Sequence, residues 1–188
     1  MKKQLQKIGT ILCLCIGLLL SNQAKAQSRG LDGDGNDDRV AVPHSASLNV
    51  ETAFTLECWF YNRGSSDETN LMEKGRWAGD WLFFIKPKPG QGTTICLASW
   101  SWTPTELWGT TDIQLNTWYH YAATWDGTTR KVYLNGVLEA SDTPTGSLIP
   151  NSDELGIGAA SGGTYNFHGT IDDARIYNIV KTDAENSC

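Results

Sequence analysis

Asn116-Thr117-Trp118-Tyr119-His120-Tyr121-Ala122-Ala123-Thr124-Trp125-Asp126-Gly127 is followed closely by Val132-Tyr133-Leu134-Asn135-Gly136. Aromatic residues recur through the first stretch, and Asp-Gly closes it, as in a strand running into a turn. Asn135-Gly136 then separates Lys131 to Leu134 from Val137 to Ala140. An Asn-Gly pair between two such runs is the strongest short hairpin signal, because both central residues of its turn need a positive φ. Three antiparallel strands are therefore predicted over 118–140.

The same pattern extends in both directions. Phe54, Leu56, Cys58 and Phe60 alternate with Thr55, Glu57, Trp59 and Tyr61, a period of two that gives one buried and one outer face. Strands are also predicted at Arg39 to Val42, Trp81 to Ile85, Thr94 to Trp100, Glu154 to Ile157 and Thr170 to Tyr177. Turn signals punctuate them at Asp34-Gly35, Lys74-Gly75, Pro87 to Gly92 and Gly162-Gly163. Helix signals are nearly absent. Many short strands at regular spacing predict an all-β, antiparallel two-sheet sandwich. Strand parity puts Cys58 and Cys96 on opposite faces of their strands, which favours two buried thiols over a bridge. Cys188 is the odd cysteine of the remainder.

The chain begins with an address. Lys2, Lys3 and Lys7 precede an apolar run from Ile8 to Leu20, and Ala24-Lys25-Ala26 supplies a small-x-small cleavage pattern. This is the layout of a secretory signal at 1–26, with cleavage after Ala26, and the run is too short to span a bilayer. Cys13 and Cys15 lie inside it, not at its end, so a lipid-modified cysteine is excluded. Residues 27–188 then form one domain. The first 26 residues hold four lysines and no acid, so the remainder carries a net charge of −10, against −6 for the whole chain. Such a surface repels nucleic acid and anionic lipid.

Five ordered stretches carry a resemblance. They are Leu31-Asp32-Gly33-Asp34-Gly35-Asn36-Asp37-Asp38-Arg39-Val40, Phe54 to Trp59, Asn116 to Gly127, Val132 to Gly136, and Gly169-Thr170-Ile171-Asp172-Asp173-Ala174-Arg175-Ile176-Tyr177. Together the set resembles the laminin-G-like jelly-roll domains of the concanavalin A-like lectin and glucanase fold. In the first stretch Gly33 stands where that family has an aromatic residue. The resemblance implies a jelly roll of two stacked antiparallel sheets with its first and last strands adjacent. It leaves the ligand open, since members bind glycans or proteins.

Glucanases of this fold use a Glu-x-Asp-x-x-Glu strand, whose paired carboxylates act as nucleophile and acid/base. No Glu here has Asp two residues on, and Trp59 stands there after Glu57. An enzyme is therefore not expected. His44, His120 and His168 lie in separate segments without metal-ligand spacing, and His120 is read as packed. The acidic stretch Asp32 to Asp38 departs from an EF-hand loop at its sixth and twelfth positions, Asp37 and Pro43. Adjacent first and last strands would bring Asp34 and Asp37 near Asp172 or Asp173 as a structural calcium site, a hard cation that wants about six to eight oxygens. The alternative is that these carboxylates cap tight turns.

The chain has eight Trp residues. Trp59, Trp118 and Trp125 fall within the landmarks and are read as structural. Trp100 and Trp102 share a face if the strand at Thr94 runs on, and Trp108 follows a bend at Thr103-Pro104. With Glu106 as polar partner and Asp112 and Arg76 nearby, these three form a candidate ligand-binding platform, because sugar rings pack their C–H faces on aromatic planes. The alternative places them, with Trp77 and Trp81, in the core or over a sheet edge. The expected function is a secreted, non-catalytic, carbohydrate-binding module. The alternative is a calcium-stabilised domain that binds an extracellular protein.

Overall fold

The Trp118 stretch and its hairpin form the centre and one edge of a six-stranded sheet. Asn135 (φ +49°) and Gly136 (φ +75°) make the positive-φ turn that the Asn-Gly pair predicts. The structure is a computed structural model, which describes residues 30–64, 67–75 and 79–182. The strands are β1 (Leu31–Asp34), β2 (Val40–Val42), β3 (Phe54–Asn62), β4 (Thr69–Lys74), β5 (Leu82–Lys88), β6 (Gly92–Ala98), β7 (Glu106–Trp108), β8 (Trp118–Trp125), β9 (Arg130–Leu134), β10 (Val137–Asp142), β11 (Leu155–Ile157) and β12 (His168–Tyr177). One sheet has the order β1-β12-β3-β8-β9-β10 and the other β2-β11-β4-β5-β6-β7. All pairings are antiparallel. A single 3-10 turn, Ala46–Leu48, is the only helical element among the described residues. The two-sheet jelly-roll architecture is thus as expected.

The alternating face of β3 is the floor of the core. Phe54, Leu56, Cys58 and Phe60 are fully buried, with Phe83, Ile85, Ile95 and Leu97 from the opposite sheet in the same cluster. Phe83 stacks on Tyr121 across the sheets at 3.8 Å and 9°. Burial of each such side chain contributes about 1.5–3 kcal/mol. Cys58 and Cys96 are free, buried thiols, in separate apolar clusters as strand parity predicts.

Three strands differ from the expected set. β4 is buried along its whole length, so Thr69-Asn70-Leu71-Met72-Glu73-Lys74 shows no alternation to read. Its last residue is a buried cation. Lys74 Nζ lies 3.5 Å from Asp80 Oδ2 and donates to the Asn151 carbonyl and Oδ1, each at 3.0 Å. Asn151 Nδ2 and the Trp81 amide donate to the Asp80 carboxylate at 3.2 and 3.1 Å. β1 (Leu31-Asp32-Gly33-Asp34) and β7 (Glu106-Leu107-Trp108) lack the β-branched apolar residues that mark the comparably short β2 and β11. The export signal at 1–26 with Cys13 and Cys15, the residues Arg76 and Trp77, and Cys188 lie outside the described residues.

Candidate functional site

The Trp platform is not assembled as predicted. β6 ends at Ala98, and a turn follows in which the Ser101 amide donates to Ser99 Oγ and the Trp102 amide to the Ser99 carbonyl, both at 3.1 Å. That turn breaks the period of two between Trp100 and Trp102. Trp100 is 52% exposed and Trp102 only 1%. Trp102 packs on Trp125 at 5.0 Å and under the Arg130 guanidinium at 4.9 Å. It is a core residue. Trp108 stands on β7 opposite Cys96, with Lys86 and Lys88 Nζ at 5.4 and 5.9 Å from its ring centroid. Glu106, two residues earlier on the same face, accepts from Lys86 Nζ at 3.1 Å. Trp108 and Glu106 therefore stay together, and Trp102 leaves the set. Of the Trp residues read as structural, Trp125 is core, but Trp118 is 45% exposed and Trp59 half-buried. Both lie on the outer face of the first sheet.

The aspartates are also separated. β1 and β12 are neighbours, as the resemblance implies, but their register pairs Asp34 with His168 and Leu31 with Ile171. Asp172 then sits four residues along, about 13 Å at the rise of a strand. Asp34 accepts from the Asn36 amide and side chain at 2.8 and 3.1 Å, and these bonds hold its carboxyl below the usual carboxylate range. Asp172 accepts from the Asp173 amide at 2.9 Å. Asp173 pairs with Arg175 at 2.9 Å. These carboxylates do not fit one calcium shell. Among the described residues, no group of three or more His, Cys, Asp or Glu side chains is placed to hold a metal ion.

What the register does build is a cleft at the rim of the sandwich, about 610 Å³ in volume, lined by Asp34, Gly35, Gly64, Asp67, Glu68, Thr69, Lys86, Tyr165, Asn166 and His168. Gly35 turns the chain after β1 with φ +84°, and a Cβ there would lie 3.0 Å from that of His168. Glycine thus lets the imidazole close that wall. The Arg63 amide donates to the His168 carbonyl at 3.0 Å, tying the β3–β4 loop to the opening of β12. Asn166 Nδ2 donates to the Asn36 carbonyl, while its Oδ1 is buried without a hydrogen-bond partner. Tyr165, at φ +56°, is 41% exposed. Across the cleft Lys86 Nζ lies 3.6 Å from Glu68 Oε2 and leads on to Glu106 and Trp108. Carboxylate, amide, imidazole and phenol groups thus converge on one polar concavity, with Tyr165 as the aromatic ring in its lining.

The profile of the concanavalin A-like lectin/glucanases superfamily matches residues 34–185. The chain belongs to that superfamily. Solved structures similar to this superfamily member include a putative carbohydrate binding protein from Bacteroides ovatus, at 21% identity and TM-score 0.65, covering 84% of this chain and 46% of that one. Domain 4 of AbnA, a GH43 extracellular arabinanase from Geobacillus stearothermophilus, in complex with arabinotriose, matches at 21% identity and TM-score 0.62, over 81% and 72%. The CBM40 of the Ruminococcus gnavus IT-sialidase, bound to α2,3 sialyllactose, matches at 15% identity and TM-score 0.64, over 83% and 95%. Such identities show the fold alone. No curated protein matches the sequence.

In this superfamily member Glu57 is a structural anion. It accepts from Arg175 at 3.2 Å, from the Tyr177 hydroxyl at 3.1 Å and from Lys181 at 3.1 Å. Burial raises its carboxyl, and those donors more than offset it, so its pKa lies below the ordinary value. His120 is packed against Trp59 at 5.4 Å, with its Nδ1 buried and without a hydrogen-bond partner. The cleft residues Tyr165, Asn166 and His168 escape sequence reasoning because they meet Asp34 and Lys86 only through pairing. The one signal was a polar and aromatic cluster directly after the Gly162-Gly163 turn.

Proposed function

We propose that the chain is an exported, non-catalytic module that binds a glycan in the rim cleft. The observation that carries this reading is the convergence of Asp34, Tyr165, Asn166 and His168 on one open concavity, with a buried acceptor on Asn166 still without a partner. Sugar hydroxyls both donate and accept, and the Tyr165 ring offers a C–H face a surface to pack on. Two of the similar structures are complexes with arabinotriose and with sialyllactose, which supports a glycan as ligand class. Among the described lining residues, Asp34, Asp67 and Glu68 stand against Lys86 as charged groups, and Lys86 is shared with Glu106. That balance favours neutral over acidic sugars. Export rests on the Lys, apolar and Ala-x-Ala layout of residues 1–26. Among the described residues, no helix is long and apolar enough to cross a membrane.

A glycan array probed with the full chain tests the reading. Binding to neutral oligosaccharides is expected, and Tyr165→Ala or Asn166→Ala weakens it by about tenfold, the scale of a buried aromatic or polar anchor. Undiminished binding in both variants would place the ligand elsewhere. The non-catalytic half is checked separately. Glu57 is locked by three donors, and no Glu-x-Asp-x-x-Glu strand exists. Incubation with laminarin, agar, alginate and xylan is expected to release no reducing ends. Turnover abolished by Glu57→Gln would refute it.

A further inference from the structure

The face of the first sheet that points away from the core carries aromatic rings that the cleft does not use. Register sets Tyr61 between Thr170 and Trp118, and Trp59, two residues along, between Asp172 and His120. Tyr61 and Trp118 lie 5.5 Å apart, with their rings inclined at 48°. Core positions already take Trp81, Trp102 and Trp125. Trp118 keeps nearly half of its surface in water, and with Tyr61 against it and Trp59 two residues along it forms a contiguous aromatic patch rather than a lone exposed residue. Polar groups border the rings on one side. Arg63 lies over Tyr61 at 5.8 Å, and donates to Asp32 and, at 3.0 Å, to Thr170 Oγ1.

Charge and ring geometry narrow the ligand. Arg63 pairs with Asp32, Arg175 with Asp173 and Glu57, and Lys181 with Glu57. These ions neutralise one another, and Asp172 beside Trp59 stands outside the pairs, so the patch is weakly negative at most and offers nothing to an anionic partner. It does offer flat apolar faces with hydrogen-bonding groups at their edge. Rings inclined at 48° cannot both lie against one plane, so the patch does not match the flat surface of an insoluble polymer whose chains pack side by side. It matches a single chain that turns from one sugar unit to the next.

We propose that Trp118, Tyr61 and Trp59 form a second glycan site, separate from the rim cleft, which holds a single uncharged polysaccharide chain on the outer face of β12, β3 and β8. Affinity electrophoresis of the full chain tests it, through gels containing soluble arabinan, xylan, laminarin or alginate, together with sedimentation on microcrystalline cellulose. The protein is expected to be retarded by at least one neutral polysaccharide, to ignore alginate and to stay in solution above cellulose. In a Tyr165→Ala background, which removes the cleft, Trp118→Ala and Tyr61→Ala each weaken the remaining retardation by about tenfold. Trp118→Gln, which keeps a long side chain over the sheet, must show the same loss with an unchanged melting temperature. Retardation abolished by Tyr165→Ala alone would overturn this site and leave the cleft reading standing. Retardation lost only with Trp118 would do the reverse. No retardation in any gel would overturn both, and a dimer in sedimentation velocity that depends on Trp118 would make the patch a protein contact and end the proposal.

Discussion

Trp102→Ala is expected to destabilise the fold by about 3–5 kcal/mol, the cost of emptying a large aromatic site in a packed core. Trp100→Ala is expected to stay within about 0.5 kcal/mol of the parent, as exposed substitutions do. The two residues are separated by Ser101 alone, so the contrast tests where the turn falls. Trp102 is wedged between Trp125 and Arg130. Arg130 is itself fully buried. It makes two bonds to Asp142, at 2.6 and 2.9 Å, and donates to the carbonyls of Thr105 and Pro104 at 2.8 Å. Removing the indole opens a cavity directly beneath a desolvated cation, which places the cost at the upper end of the range. Trp102→Phe is milder, because the Trp102 Nε1 is buried without a hydrogen-bond partner and its loss forfeits no bond. For a domain of this size, Trp102→Ala corresponds to a drop in melting temperature of about 10 °C. Equal melting curves for Trp100→Ala and Trp102→Ala would contradict the turn at Ser99.

The sandwich is legible in the sequence wherever residue types alternate or a turn pair announces itself. In β3 apolar and polar residues alternate in the sequence itself, and Asn135-Gly136 closes a hairpin that needs no tertiary information. β4 is illegible for the opposite reason, because burial on both faces removes the period. The Trp platform fails at a local event, since a Ser99-capped turn costs nothing in composition yet rotates every residue after it. The aspartate cluster fails at a tertiary one. Adjacency of β1 and β12 follows from the resemblance, but register is set by backbone pairing, and it puts His168 and not Asp172 opposite Asp34. The same register assembles the cleft from segments more than a hundred residues apart, which no local pattern announces. Trp108 and Glu106 lie on one face of β7, as alternate residues of any strand do, although the sequence shows no strand at that place.

The buried pair Lys74–Asp80 gives the chain a pH-dependent weak point. Burial pushes the Asp80 carboxyl up to about 7, against the pull of the Lys74 ammonium and the Trp81 amide. The ordinary value is 3.8. Between those two values the folded state holds this proton more tightly than the unfolded chain does. Stability contributed by Asp80 is therefore full below about pH 4 and is lost as the pH rises through 7. Lys74→Met removes a cation that offsets the buried carboxylate. Without that cation the carboxyl rises further still, so at pH 8 the variant must either hold an unpaired charge in the core or take up a proton, and it is expected to lose up to about 3–5 kcal/mol. At pH 5 Asp80 is protonated, its hydrogen bonds from Asn151 and Trp81 can persist, and the penalty shrinks. The double variant Lys74→Met/Asp80→Asn carries no titrating group at the site, so the pH-dependent part of the Lys74→Met penalty is expected to be absent from it. Urea denaturation of the three proteins at pH 5 and pH 8 decides it. A Lys74→Met penalty that is equal at the two pH values would mean that Asp80 is not the titrating group.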